Sequence, residues 1–259
     1  MGGRHVKVHI LAGKGQDPHT FEPTPRQIIE LGQADFYFTI GLPFEQRLLA
    51  KIKDSSHRLT VIDVSEGISK RMMRADQHGP GEGREDAGHP EGEPDPHIWL
   101  APPLLKIMAQ NMSAALIKAA PEDRDDIREN LAALIQDIDT VDARIRQILK
   151  PYAGQTFLVF HPAFGYFGDT YGLHQEAVEL EGKSPTPKHL ARLIREAKAE
   201  NAKIIFVQPQ FDATSATVIA NAIGGTVVAL DSLAYDVLGN LEHIATKIEH
   251  SMAARQSSP

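Results

Sequence analysis

The stretch 121–150, PEDRDDIRENLAALIQDIDTVDARIRQILK, decides how the rest of the chain is read. Ile127, Leu131, Leu134, Ile135, Ile138, Val141, Ile145, Ile148 and Leu149 recur at spacings of three and four, and charges fill the other face. The spacing predicts one amphipathic helix, and at 1.5 Å per residue it would run about 45 Å. A small domain is narrower than that, so the helix is expected to join two lobes as a rigid brace.

On both sides of it the pattern alternates between strand and helix. Before it, 6–11 reads as a strand closed by Gly13, Gly15 and Pro18. Thr24 is placed to cap a helix that has Pro25 at its first position and Ile28, Ile29 and Leu31 on its inner face. Strand 34–40, helix 42–52, strand 59–64 and helix 102–119 follow. After the long helix come strand 156–160, helix 187–200, strand 203–207, helix 213–223, strand 226–230 and helix 241–253. This order predicts an α/β fold with largely parallel sheets. The expected division is an N-terminal α/β lobe over 1–120, a linking helix over 121–150 and a C-terminal α/β lobe over 151–259. Within the first lobe, 76–95 is Gly, Pro, acidic residues and two histidines, with nothing apolar to pack, and reads as a mobile surface loop.

Composition narrows the function. Of 259 residues, 42% are hydrophobic and 24% charged, the balance of a globular chain, and the formal net charge is −7. No Lys/Arg-rich run gives the basic face of a nucleic-acid binder, and no apolar run reaches the roughly 18 residues of a membrane span. The opening residues MGGRHVKVHILAGKG do not read as a signal peptide. There is no cysteine, so thiolate metal sites and disulfides are excluded, but there are 12 histidines. Any metal must be held by nitrogen and oxygen.

Asp-Pro-His occurs twice, at Asp17-Pro18-His19 and Asp95-Pro96-His97. His161 directly follows the strand TFLVF, and Asp231 follows TVVAL in the same manner. Ligands of parallel α/β sheets collect beyond the carboxyl ends of strands. Three imidazoles and one carboxylate suit a four-coordinate Zn²⁺, with His19 and His97 from one lobe and His161 and Asp231 from the other. The blander readings stay open at this point. Asp231 could cap a helix, Asp-Pro could be turn chemistry alone, and each histidine could be a satisfied polar residue at a sheet edge.

These phrases resemble a family. DPHTFEPTP at 17–25, DPHIWLAP at 95–102, FHPAFGYFGDTYGL at 160–173, EGKSPTPKHLARLI at 181–194, VQPQFD at 207–212 and ALDSLA at 229–234 are similar to the cluster A-I solute-binding proteins. Those are the metal receptors of bacterial zinc and manganese ABC importers, and the zinc-type members match best. The resemblance implies two α/β lobes braced by one long helix, a metal between them, and ligands at His19, His97, His161 and Asp231. It implies a high-affinity receptor, not an enzyme, that hands metal to a membrane permease from the periplasm or cell surface. Manganese-preferring relatives commonly carry Glu at the third position. His161 therefore favours Zn²⁺, with Mn²⁺ as the alternative cargo.

In zinc-type members an acidic or His-rich loop precedes the second His ligand, so His78 and His89 either gather zinc or sit incidentally in a solubilising loop. Trp99, Phe164, Tyr166 and Phe167 follow ligands closely and read either as the apolar wall of the site or as core. Glu179 and Glu181 point toward the same region without a defined place. His5, His9, His57, His174, His189, His243 and His250 lack ligand-like spacing. The family also begins with an export signal, a strand and a helix that are absent here. The expectation is a truncated start that leaves the first lobe short of its first strand and helix. The chain is expected to be monomeric unless that start drives dimerisation. The reading from another class is a zinc hydrolase using His19, His97 and His161, but no HExxH pattern is present.

Overall fold

A computed structural model describes residues 2–13, 15–52, 58–73, 94–179, 186–211 and 213–256. The predicted loop 76–95, apart from Pro94 and Asp95, lies outside the described residues, as do His57, His78, His89 and Glu181. The chain divides into two compact units, Met1–Ile68 with Ala101–Arg144, and Ser69–Leu100 with Ile145–Pro259. The segment carrying His97 thus groups with the second unit, not with the first as the expected boundary at 120 had it.

In the first unit, α1 (Pro25–Gly32) starts where the sequence placed it. The Thr24 hydroxyl accepts from Gln27 N, and the Gln27 side chain accepts from Thr24 N at 2.8 Å, a reciprocal capping box. Leu31 is buried, but Ile29, read as inward, is 63% exposed. Strand β1 (Phe36–Thr39) leads into α2 (Pro43–Ile52), and β2 (Thr60–Asp63) pairs with β1 in parallel, Phe36 opposite Thr60. Phe21, Leu31, Leu42, Phe44, Leu48 and Ile52 form the core against these elements. Glu45, buried at the start of α2, accepts from the N–H groups of Ile40, Gly41 and Leu42 and from Tyr37 and Thr39, so the turn between β1 and α2 closes on one carboxylate. The last α-helix wholly within this unit is α3 (Pro102–Ala119).

The expected strand at 6–11 is not formed. Residues Gly3–His5 make a short 3₁₀ turn, and Val8 and Ile10 stand exposed. A strand needs a neighbouring strand to pair with, and among the described residues 6–11 has none. His5 and His9 are exposed as read, but not on a strand; His5 Nδ1 lies 3.1 Å from Asp123.

The long helix α4 (Arg124–Leu149) has 26 residues, about 39 Å of helix, flanked by 3₁₀ turns at Pro121–Asp123 and Lys150–Tyr152. Ile127, Ile138, Val141, Ile145 and Leu149 are its buried positions. The border between the units falls inside it, after Arg144.

The second unit carries β3 (Thr156–Val159), α5 (Gly165–Tyr171), β4 (His174–Ala177), α6 (Pro187–Ala199), β5 (Ile204–Val207), α7 (Thr214–Ala222), β6 (Thr226–Ala229) and α8 (Val237–Gln256). Its four strands are all parallel, in the order β4-β3-β5-β6. Leu158, Ile205 and Val207 pack with Leu193 and Ala197 of α6 and Ala216 and Ile219 of α7. Because β3 has β4 on one side and β5 on the other, the chain reverses its direction of winding between β3 and β5. In such sheets the crevice at the carboxyl ends of those two strands is where ligands bind.

Candidate metal centre

Both Asp-Pro-His phrases fold into the same turn. Asp17 Oδ1 accepts from His19 N at 2.9 Å, and Asp95 Oδ1 accepts from His97 N at 2.9 Å. Proline fixes φ between them, and the aspartate closes the loop onto the histidine's own amide, so the direction of each imidazole is set locally. Turn chemistry and the placement of each imidazole are therefore one arrangement. In the first unit His19 is half-buried.

In the second unit His97 and His161 meet. Each is almost wholly buried, at 2% and 5% exposure. His97 Nδ1 lies 2.7 Å from Asp95 Oδ1, and His161 Nδ1 lies 3.2 Å from Glu179 Oε1. A carboxylate against Nδ1 favours the tautomer that carries the proton there, which leaves each Nε2 with a lone pair to present. Those two Nε2 atoms face each other at 3.3 Å, with the rings 70° apart. Two nitrogens held about 2.0–2.1 Å from one tetrahedral zinc lie about 3.3–3.4 Å apart. The pair is spaced to share one ion.

The strand-end crevice explains how His161 is held. Gln208, buried one residue beyond β5, accepts from His161 N at 3.2 Å and donates to His161 O at 2.8 Å. Phe211 stacks on the His161 ring at 4.7 Å between centroids, 18° between planes. Trp99 lies 5.2 Å from the His97 ring and donates from Nε1 to Ser232 O at 2.8 Å. Tyr166 donates to Asp95 O at 2.9 Å. Burial pushes the Tyr166 phenol up to about 12, which keeps that donor protonated.

Asp231 does not join the histidine pair: its carboxylate and the two rings do not all come within 4.8 Å of one another. Its Oδ1 accepts instead from Leu233 N at 2.9 Å, closing a third turn of the same kind, with Gln210 Nε2 3.5 Å away. The reading of Asp231 as a helix cap is overturned, since α8 starts only at Val237.

Phe164 and Phe167 are fully buried, whereas the rings in contact with the histidines are those of Trp99 and Phe211. His174, His243 and His250 are exposed, and His189 is a buried histidine 3.2 Å from Ala177 O. Sequence reasoning missed Gln208 and Phe211, for which the phrase VQPQFD at 207–212 contains the only signal.

Comparison with known proteins gives a consistent picture. A family profile described as zinc-uptake complex component A, periplasmic, matches residues 1–250. The high-affinity zinc uptake system protein ZnuA of Bacillus subtilis is 28% identical over 231 residues, 87% of this chain and 71% of that protein. The manganese-binding lipoprotein MntA of the same organism is 27% identical over 248 residues, 92% of this chain and 76% of its own. A crystal structure of ZnuA superposes with a TM-score of 0.87 at 36% identity, covering 97% of this chain and 92% of that one.

Proposed function

We infer, because the chain belongs to the zinc-uptake complex component A family, that the facing imidazoles of His97 and His161 are half of a four-ligand site for the ion it transports. The chain is an extracytoplasmic zinc-binding receptor of a metal ABC importer; it is a binding protein and not an enzyme. His19 supplies the third nitrogen, supported by its turn, the twin of the one that aims His97. Asp231 supplies the fourth ligand by turning its carboxylate from Leu233 N to the ion, supported by its half-buried place beside the turn that Trp99 grips. The 3.3 Å separation between the two Nε2 atoms is the observation that carries the reading.

Zinc is the preferred cargo, since imidazole donors suit Zn²⁺ better than Mn²⁺; manganese is the second candidate. The loaded protein passes its ion to a membrane permease as a monomer, from the periplasm or the cell surface. Among the described residues, no helix is long and apolar enough to cross a membrane.

The test is a zinc titration of the purified chain beside His97→Ala, His161→Ala, His19→Ala and Asp231→Ala. One equivalent is expected, with each substitution lowering affinity by tenfold or more. Undiminished affinity in both His97→Ala and His161→Ala would sink the reading. Undiminished affinity in Asp231→Ala alone would confine the ligand set to the histidines.

A further inference from the structure

Arg71 lies outside the ligand set, yet it is tied at three points to Asp95, the residue beneath His97. Asp95 N donates to Arg71 O at 2.8 Å. Arg71 N donates to the Tyr166 hydroxyl at 3.0 Å, and that hydroxyl donates onward to Asp95 O. Arg71 Nε stands 3.7 Å from Asp95 Oδ2, the carboxylate oxygen opposite the one that receives His97 N and Nδ1.

The guanidinium has a slot shaped for it. Its Nη1 lies 3.4 Å from Asp169 Oδ2, and its Cζ lies 5.9 Å from the centre of the Tyr166 ring. The floor of the slot is Gly165, the first residue of α5. A Cβ there would stand 1.8 Å from Arg71 Nη1 and 2.4 Å from Cζ. Only glycine lets the guanidinium lie in this place.

The buried Asp95 carboxylate is thus held from both sides, by the ligand on one oxygen and by Arg71 on the other. Held on one side only, it could rotate, and Oδ1 would leave His97 Nδ1. The His97 ring would then lose the contact that fixes its tautomer and its angle. The charge of Arg71 is matched locally by Asp95 and Asp169, so the guanidinium can orient without placing an unbalanced cation beside a metal ligand.

We propose that Arg71 is a positioning residue for zinc capture, acting through Asp95 to hold His97 Nε2 on the ion. This rests on the reading of His97 as a zinc ligand. The competing account is a purely structural clasp, since Met72 and Pro94 also form a bridge next to this contact.

The experiment measures zinc affinity of the full chain by competition with a chelator, with Co²⁺ absorption as a report on ligand geometry. The variants are Arg71→Gln, Arg71→Lys and Gly165→Ala. The last evicts the guanidinium while keeping its charge, and its clash is with the far end of a flexible side chain, so the backbone need not move. Arg71→Gln and Gly165→Ala are expected to weaken zinc about tenfold, the low end for loss of an outer-shell partner, and to shift the cobalt bands. Arg71→Lys should recover most of the affinity, and the melting midpoint of the metal-free variants should stay at the wild-type value. Wild-type affinity and spectra in both Arg71→Gln and Gly165→Ala would overturn the proposal. So would a loss that tracks a lowered metal-free midpoint and is not rescued by lysine. A wild-type chain that binds no zinc, or a His97→Ala variant that binds it undiminished, would overturn the functional reading itself.

Discussion

Glu179 stands beneath His161 as Asp95 stands beneath His97, although 18 residues separate it from its partner. The β3–β4 register brings them together. Thr156 lies opposite His174 and Val159 opposite Ala177, so the same offset continued two residues past the strands sets His161 beside Glu179. Glu179 N also donates to Phe160 O at 2.9 Å, which extends the pairing that far. A slip of one residue would offer an apolar side chain instead. Glu179→Gln keeps an acceptor for Nδ1 but removes the charge that makes the imidazole a better donor to a cation. It is expected to weaken zinc binding about tenfold in a chelator competition, and Glu179→Ala to weaken it further, toward 100-fold. Equal affinity in all three proteins would show that Glu179 only fills space.

Elements differ in how plainly the sequence announces them. Thr24, Pro25 and Gln27 spell a helix start, and the capping box is formed as the residues suggest. Thr24→Ala is expected to cost about 1 kcal/mol of stability, measured by urea unfolding, because it strands the Gln27 N–H. The long helix was legible because 30 residues hold one apolar stripe, and most strands because they are short β-branched runs closed by glycine or a polar residue. Two elements were not legible. Helix α5 is seven residues of GYFGDTY, buried by its surroundings rather than by any stripe of its own, and it ends at Gly172 in the left-handed conformation, φ 70°. Strand β4 reads HQEA, polar because it lies at the edge of its sheet. The error at 6–11 has the opposite cause, since alternating valine and isoleucine suit a strand only where another strand is available to pair. The candidate ligands could be read because Asp-Pro-His is repeated and because His161 ends a strand. Asp95, the partner of His97, stands in that same phrase, whereas Glu179 could be named but not placed, because strand register brings it beside His161.

At the scale of the whole chain, zinc should act as a stabiliser by mass action. A ligand that binds only the folded protein adds about 2.7 kcal/mol when present at 100 times its dissociation constant. The thermal midpoint is therefore expected to rise with zinc and return on chelation, and His161→Ala should flatten that response. A midpoint indifferent to zinc would mean that the ion does not bind the folded state. The two units need not melt together, so calorimetry is the better probe. The chain carries a formal net charge of −7, but the charge that matters to the cargo is local. Asp95 and Glu179 are almost fully withdrawn from water beneath two imidazoles, while Arg71 is shared with the more exposed Asp169. Negative charge is thus in place before any ion arrives, in surroundings where imbalance is poorly screened. In the proposed site a divalent ion relieves that imbalance more fully than a monovalent one of similar size, so side chains outside the proposed ligand set would weigh the valence of the cargo.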